Sequence, residues 1–277
     1  MRIIETVAGV REVRAKEHGT VGLVPTMGYL HEGHLSLVRL ARKENSLVVV
    51  SIFVNPTQFG PSEDLTSYPR DLERDFRLLE KEGTNLVFMP GVEDMYPKGF
   101  STWVDVEHIT ERLEGGSRQG HFRGVATVVA KLFNIIQPDR AYFGQKDAQQ
   151  ALVIKKMVAE LDMKLKIVLG ETIRERDGLA MSSRNSYLNP EERQSATVLY
   201  KSLSLAKQLW QDGETTTNTL IRKMQLLIRQ EPPAQIDYIS IADASTLEEL
   251  KIIDRTALVS LAVRIGKTRL IDNILLM

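Results

Sequence analysis

Two of the five histidines in this 277-residue chain, His31 and His34, stand three residues apart in PTMGYLHEGHLSL, from Pro25 to Leu37. Gly28 and Gly33 lie beside them, and the apolar run VGLV comes just before. A buried strand that runs into a glycine-containing turn and then a helix gathers the first N–H groups of the helix and the positive end of its dipole. That is a setting for an anion. Two imidazole N–H groups one helical turn apart add side-chain donors, and aimed at a triphosphate they stabilise charge as it develops in a transition state. An ordinary pair of helix-start histidines would give the same letters, so the weight rests on the glycines and the preceding strand. The stretch has neither the GxxxxGK[ST] of a Walker A loop nor the GxGxxG of a dinucleotide fold.

The elements that would carry this turn are legible in the hydrophobic pattern. Apolar runs of strand length recur as VGLVPT (21–26), LVVVSIFV (47–54), NLVFMP (85–90), AYFG (141–144) and LKIVLG (165–170). Runs apolar on both faces predict strands covered on both sides, hence a parallel sheet with crossover helices. The stretches between them have helical spacing: GHLSLVRLARKEN, RDLERDFRLLEKEG stopped by Gly83, GVATVVAKLFNIIQPD ended by Pro138, and DAQQALVIKKMVAELD begun by Asp147. This predicts an α/β fold, a Rossmann-like doubly wound parallel sheet, with ligands at the carboxyl ends of its strands. The pattern changes near RERDGLAMSSRNSYLNPEE. Helical stretches at about 190–211 and 215–231 are followed by three strand-like runs, QIDYISIAD, TALVSLAVRIG and TRLIDNILL. We therefore expect a first domain over 1–175 and a smaller C-terminal α+β domain over 176–277, with the hinge near Glu175.

Composition narrows the partners. Lys and Arg total 36 and Asp and Glu total 36, so the formal net charge is zero, which argues against nucleic acid or an anionic membrane as partner. The chain has no cysteine, which excludes disulfides, thiolate nucleophiles and Cys-ligated metals and suits a reducing cytoplasm. No basic-then-apolar leader and no apolar run of about 18 residues is present, which predicts a soluble, cytoplasmic chain.

H-x-G-H after a first strand resembles the signature of the nucleotidyltransferase superfamily, which includes the class I aminoacyl-tRNA synthetases. GLAMSSRNSYL, Gly178 to Leu188, resembles the KMSKS-type loop of that superfamily, whose hydroxyls and basic side chain close over nucleotide phosphates. Ser182, Ser183 and Arg184 supply those donors here, arginine being able to grip phosphate with two parallel bonds. With FVNPTQF, YPRDLERD, MYP, HFRGV and GQKDAQQ in order between the two signatures, almost the whole chain is similar to the pantothenate synthetase (pantoate–beta-alanine ligase) family. Other readings are a different H-x-G-H nucleotidyltransferase acting on another small-molecule acceptor, a tRNA-synthetase-like fragment, and a nucleotide-binding scaffold without catalysis.

The resemblance implies the condensation of (R)-pantoate with beta-alanine at the expense of MgATP, through an enzyme-bound pantoyl adenylate, with release of AMP and pyrophosphate. It places the ATP-binding turn on Met27, Gly28, Tyr29, Leu30, His31, Glu32, Gly33 and His34. His34 matches the catalytic proton donor and His31 its phosphate-facing companion. A nucleotide loop falls on Gly144, Gln145, Lys146 and Asp147, where Lys146 meets phosphate charge and Asp147 caps a helix or reads the ribose. Gln145 stands where glutamate is common. The backbone of Ile173 matches an adenine contact, and Met181, Ser182, Ser183 and Arg184 form the second phosphate loop. Gln58 and Gln150 match the pantoate-binding glutamines, with Gln58 also associated with beta-alanine. A neutral amide reads hydroxyls and carboxylate oxygens without the tight ion pair that would blunt the carboxylate's nucleophilicity. Arg123 and His121 match an active-site loop, and Asp75 matches a magnesium-associated aspartate. A homodimer is also implied.

Overall fold

The computed structural model describes residues 1–61 and 63–277 and divides the chain into two compact units. One is Met1–Gln145 with Gln149–Glu171, the other Lys146–Ala148 with Thr172–Met277. The chain-order elements running to Glu171 are β1 (Arg2–Ile4), α1 (Val7–Lys16), β2 (Val21–Thr26), α2 (Glu32–Glu44), β3 (Leu47–Ile52), α3 (Leu72–Lys81), β4 (Leu86–Phe88), α4 (Val92–Met95), α5 (Leu113–Ser117), α6 (His121–Ile136), β5 (Arg140–Gly144), α7 (Ala148–Glu160) and β6 (Lys166–Gly170). Beyond it lie α8 (Pro190–Ser195), α9 (Val198–Gln211), α10 (Thr217–Ile228), β7 (Ala234–Asp243), β8 (Ala257–Ile265) and β9 (Thr268–Leu276).

In the first unit all strand pairs are parallel and the order is β1-β4-β3-β2-β5-β6. Every residue of β3 is buried, as expected of a strand covered on both faces. From β2 the chain adds strands outward through β3 and β4, then returns to add β5 on the other side of β2. That reversal is a topological switch point, and the carboxyl ends of β2 and β5 flank it. The sheet has one strand more than the five that the apolar runs predict. The addition, β1, is a three-residue edge strand and largely exposed, so it carries no periodic signal.

One cluster of Val24, Val48, Val50 and Val87 from the strands with Leu35, Val38, Ala41 and Leu79 from α2 and α3 closes one side of the sheet. Helix α6 is buried along most of its length and ends where Gln137 turns left-handed before Pro138, as the sequence predicts. Its first turn is packed against the 3-10 turn Pro56–Gln58. A Cβ on Gly124 would lie 2.4 Å from the Thr57 carbonyl oxygen and 2.8 Å from Gln58 N, so only glycine permits the approach. His121, at the helix start, donates from Nδ1 to the Gln58 carbonyl at 2.8 Å. Its Nε2 accepts from Arg118, which grips Glu63 with two bonds of 2.7 and 2.8 Å. Burial first, and the charge of Arg118 second, push the His121 imidazole down to about 4.

The second unit holds an antiparallel sheet in the order β7-β8-β9. Leu199 and Leu203 of α9 and Leu220 and Met224 of α10 pack into one core with Val259, Leu261 and Val263 of β8. This is the α+β arrangement that the change of pattern predicts, except that the first helical stretch breaks at Ala196–Thr197 into α8 and α9.

Two outcomes are expected. Gly124→Ala pushes a methyl group into backbone that cannot swing aside, and it should cost about 2–3 kcal/mol in urea unfolding. His121 holds fewer protons folded than unfolded between about pH 4 and about pH 6.5, so its contribution is complete above pH 6.5 and is lost on acidification. Its loss should reach on the order of 3 kcal/mol near pH 4. Urea melts across that range should show this slope in the natural chain and not in His121→Gln.

Candidate active site

The segment after β2 is shaped by its own side chains. His31 is the N-cap of α2, and its Nδ1 accepts from Gly33 N at 3.2 Å, while His34 Nδ1 accepts from His31 N at 3.3 Å. The two histidines thus form a reciprocal capping box, and Leu30 before the cap and Leu35 in the helix share the core beneath it as a hydrophobic staple. The rings lie 4.0 Å apart, centroid to centroid, and both are half-buried. Because each Nδ1 accepts a backbone N–H, the neutral tautomer of both carries its proton on Nε2. Two Nε2–H donors on adjacent rings can serve an anionic oxygen.

The turn departs from the sequence expectation in one respect. The sequence predicts that its backbone N–H groups meet an anion from outside; most are satisfied from within. Gly28 N donates to Thr26 Oγ1 at 3.2 Å, His34 N to His31 O at 2.8 Å, and His31 N and Gly33 N to the imidazoles. Tyr29 N and Leu30 N donate to the two oxygens of Asp75, each at 2.7 Å. The side-chain donors that this turn adds are imidazole groups, at the N-terminal, positive end of the α2 dipole.

Asp75 comes from the first turn of α3 and is fully buried. Burial pushes its carboxyl above the usual range, while the two N–H donors and the Arg74 charge oppose that rise. The resemblance implies a magnesium-associated role. Here both oxygens are committed to backbone, and among the described residues no group of three or more His, Asp or Glu could hold a metal. The donor set suits a magnesium carried by nucleotide phosphates rather than a protein cage.

The turn Pro56–Gln58 carries the first of the two glutamines. Asn55, 1% exposed, organises it: its Oδ1 accepts from Thr57 Oγ1 at 3.0 Å and Tyr96 OH at 2.8 Å, and its Nδ2 donates to Gln58 Oε1 at 3.1 Å and Gly124 O at 3.2 Å. Gln58 Nε2 then donates to Met27 Sδ at 3.3 Å, joining this turn to the histidine turn. The amide is oriented so that its oxygen is occupied and its NH2 group is the part with hydrogen-bonding capacity to spare. A carboxylate or hydroxyl oxygen suits it. Asn55 and Tyr96 lie within FVNPTQF and MYP, yet the sequence reading assigns neither a role; the Asn-Pro pair opening a 3-10 turn is the available signal for the first.

The two adjacent glutamines of α7 differ. Gln149 is buried and saturated by backbone, accepting from Glu114 N at 3.0 Å and donating to the carbonyls of Ile109 and Arg112 at 2.8 Å. Gln150 is half-buried. Arg123 is exposed on α6, with its guanidinium 4.9 Å from the Trp103 ring centroid.

In the second unit, Ile173 to Met181 form a short hairpin. Arg174 bridges Ala180, Glu175 N donates to Leu179 O, and Met181 N donates to Ile173 O at 2.9 Å, around Gly178 at φ +92°. This pairing fixes Ile173 beside Met181. Arg174 anchors the hairpin through two bonds to buried Asp272, 2.6 and 2.9 Å, and lies 4.0 Å over the Tyr200 ring. From the hairpin the chain enters a 3-10 turn, Ser183–Tyr187, capped by Ser182 Oγ, which accepts from Arg184 N at 3.3 Å. Ser183 is buried; Ser182 and Arg184 are half-buried. Gln145, Lys146 and Asp147 form another 3-10 turn after Gly144 at the end of β5. Asn273 Nδ2 holds the Lys146 carbonyl at 2.8 Å, and Lys146 Nζ lies 3.8 Å from Asp147 Oδ1.

Comparison with known proteins gives this arrangement a lineage. A family model described as pantoate-beta-alanine ligase matches residues 2–275. The pantothenate synthetase of Roseiflexus sp. strain RS-1 is 60% identical over 276 residues, covering 100% of this chain and 99% of that one. That of Herpetosiphon aurantiacus is 57% identical over the full length of both. Among solved structures, the pantothenate synthetase of Thermus thermophilus superposes with a TM-score of 0.95 at 50% identity, covering 99% of each chain. The pantoate-beta-alanine ligase of Francisella tularensis, complexed with beta-gamma ATP and beta-alanine, gives 0.83 at 36% identity over 99% of this chain and 97% of that one. With such a match running from end to end through the histidine turn, the glutamine turn and the serine–arginine loop, the chain belongs to the pantoate-beta-alanine ligase family.

Proposed function

We propose that this chain condenses (R)-pantoate with beta-alanine to give pantothenate, converting ATP to AMP and pyrophosphate. The carrying observation is the pair of imidazoles whose tautomers are set by the backbone so that both present Nε2–H. A free carboxylate is a poor acyl electrophile, and adenylation gives it a leaving group. In the first half-reaction a pantoate carboxylate oxygen attacks the α-phosphorus of ATP and pyrophosphate departs. In the second, the amine of beta-alanine attacks the carbonyl carbon, the C–O bond to AMP breaks, and the ammonium proton is released.

Positioning and charge stabilisation carry the first step. His34 and His31 donate to phosphoryl oxygens as negative charge grows there. Lys146 and the loop of Met181, Ser182, Ser183 and Arg184 meet phosphate charge, with Gly144 allowing close approach and the Ile173 backbone lying along the base. Gln58 and Gln150 read the hydroxyls and carboxylate of pantoate, and exposed Arg123 stands in the first turn of α6, the helix that supports Gln58. Magnesium bound to the phosphates supplies neutralisation of their charge. The first domain, about 1–175, holds nucleotide and pantoate; the second, about 176–277, carries the serine–arginine loop. A cytoplasmic location, where ATP is supplied, and the homodimer implied by the family complete the reading. No helix among the described residues is long and apolar enough to cross a membrane.

The test is AMP and pyrophosphate release from MgATP and pantoate, with and without beta-alanine, and mass detection of pantothenate. Pantothenate formed only with all three substrates, together with pantoate-dependent ATP–pyrophosphate exchange, is the expected result. Exchange requiring a phosphorylated acceptor instead would point to another nucleotidyltransferase. His34→Ala should lower the exchange rate by about 100-fold or more while changing ATP affinity only a few-fold, since its interaction grows in the transition state. Gln150→Leu should raise the pantoate KM by about 10-fold or more with ATP affinity spared, as expected when a buried polar contact to substrate is lost.

A further inference from the structure

The proposed reaction leaves open what holds the histidine turn in the shape that sets both tautomers. Gly28 and Tyr29 are both left-handed, at φ +81° and +50°. For Gly28 this is unexceptional; for Tyr29, a bulky side chain, it is a strained conformation that persists only where its surroundings enforce it. The carboxylate of Asp75 enforces it. Its two oxygens take the successive N–H groups of Tyr29 and Leu30, each at 2.7 Å, across 46 and 45 residues of chain. The neighbouring Arg74 places its guanidinium 5.5 Å from the Tyr29 ring centroid, so the start of α3 holds Tyr29 by its backbone and its ring together. Leu30 is the residue just before the His31 cap, so a shift of its backbone moves the N–H that His34 Nδ1 accepts.

We propose that Asp75 is a positioning residue for adenylation, holding the Tyr29–Leu30 backbone so that His31 and His34 present Nε2–H, and that it is not a metal ligand. This rests on the reaction proposed above. The carboxylate is suited to the work because two parallel N–H donors need two acceptor oxygens with no hydrogen between them. An amide has only one such oxygen and turns an NH2 group toward the second donor. Burial keeps water from replacing the lost bond, and an unsatisfied N–H in that place costs enough to favour a different turn.

Asp75→Asn keeps the size of the side chain and removes one acceptor. We expect kcat for pantoate-dependent ATP–pyrophosphate exchange to fall about 100-fold, the scale of a misplacement of about 1 Å. The ATP KM should stay within about threefold and the magnesium concentration for half-maximal rate within about twofold, because neither contact is made by Asp75. Gly28→Ala strains the same turn while leaving the carboxylate chemically intact, since its Cβ would sit at a left-handed φ and crowd Ile52 Cγ2 at 3.1 Å and Asp75 Oδ2 at 3.2 Å. It should give the same signature, and it decides the matter if Asp75→Asn does not fold. In the nucleotide-free proteins, long-range 1H–15N spectra of the five imidazoles should show Nε2–H tautomers for His31 and His34 in the natural chain and mixed tautomers in the variants. A magnesium requirement raised about tenfold in Asp75→Asn, with kcat restored by excess magnesium, would overturn the proposal in favour of a metal ligand. Unchanged kcat or unchanged tautomers would also overturn it. Absence of pantoate-dependent exchange in the natural chain would sink the reaction instead, and the imidazole spectra would still decide the role of Asp75.

Discussion

A buried carboxylate bridging two successive backbone N–H groups is the interaction on which the histidine turn depends. Left-handed Tyr29 costs about 1–3 kcal/mol, and hydrogen bonds to a charged acceptor return about 1.5–3 kcal/mol each. Two such bonds to Asp75 therefore outweigh the strain, and the side-chain packing of Leu30 and Leu35 on the core adds to the margin. From that fixed backbone the rest follows: the cap on α2, the two Nδ1 acceptors, and the direction in which the remaining imidazole protons point.

The same division of labour recurs elsewhere. Several buried polar side chains are spent on backbone or on one another, and half-buried polar residues stand beside them. Asn55 and Gln149 satisfy loops and helix ends, while Gln58 keeps an amide N–H to spare and Gln150 is only half-buried. Arg174 is committed to Asp272 and the Tyr200 ring, and the hairpin it anchors delivers the less buried Arg184 at the end of a capped turn. His121 belongs with the first group. Burial and the adjacent Arg118 hold it uncharged well below neutrality, so it supports Gln58 through a neutral hydrogen bond across the working pH range. The resemblance places it in an active-site loop, and its geometry makes it a brace for that loop.

At Asp75 the motif and the geometry carry different information. YPRDLERD shows an acid at the start of a helix. Whether its oxygens face a cation, solvent or a pair of backbone N–H groups depends on what the sheet order places opposite that helix. Residues separated by 46 positions meet here because α3 follows β3, the neighbour of β2 in the sheet.

Periodicity and composition by themselves pointed to the doubly wound parallel sheet and to a smaller α+β unit after it, and the sequence alone gives the position of the H-x-G-H and MSSR motifs. Those features are local: apolar runs, glycine stops and short signatures are written in consecutive residues. The three-residue edge strand β1 left no pattern to read, because an exposed edge places little demand on its side chains. Only the tertiary structure decided that most of the turn's backbone donors are used internally, that Asp75 faces backbone, and that Gln149 is buried and bonded to backbone while its neighbour Gln150 is half-buried. These are questions of which polar groups are paired once water is excluded, and pairing across the fold has no signal in the spacing of residues along the chain.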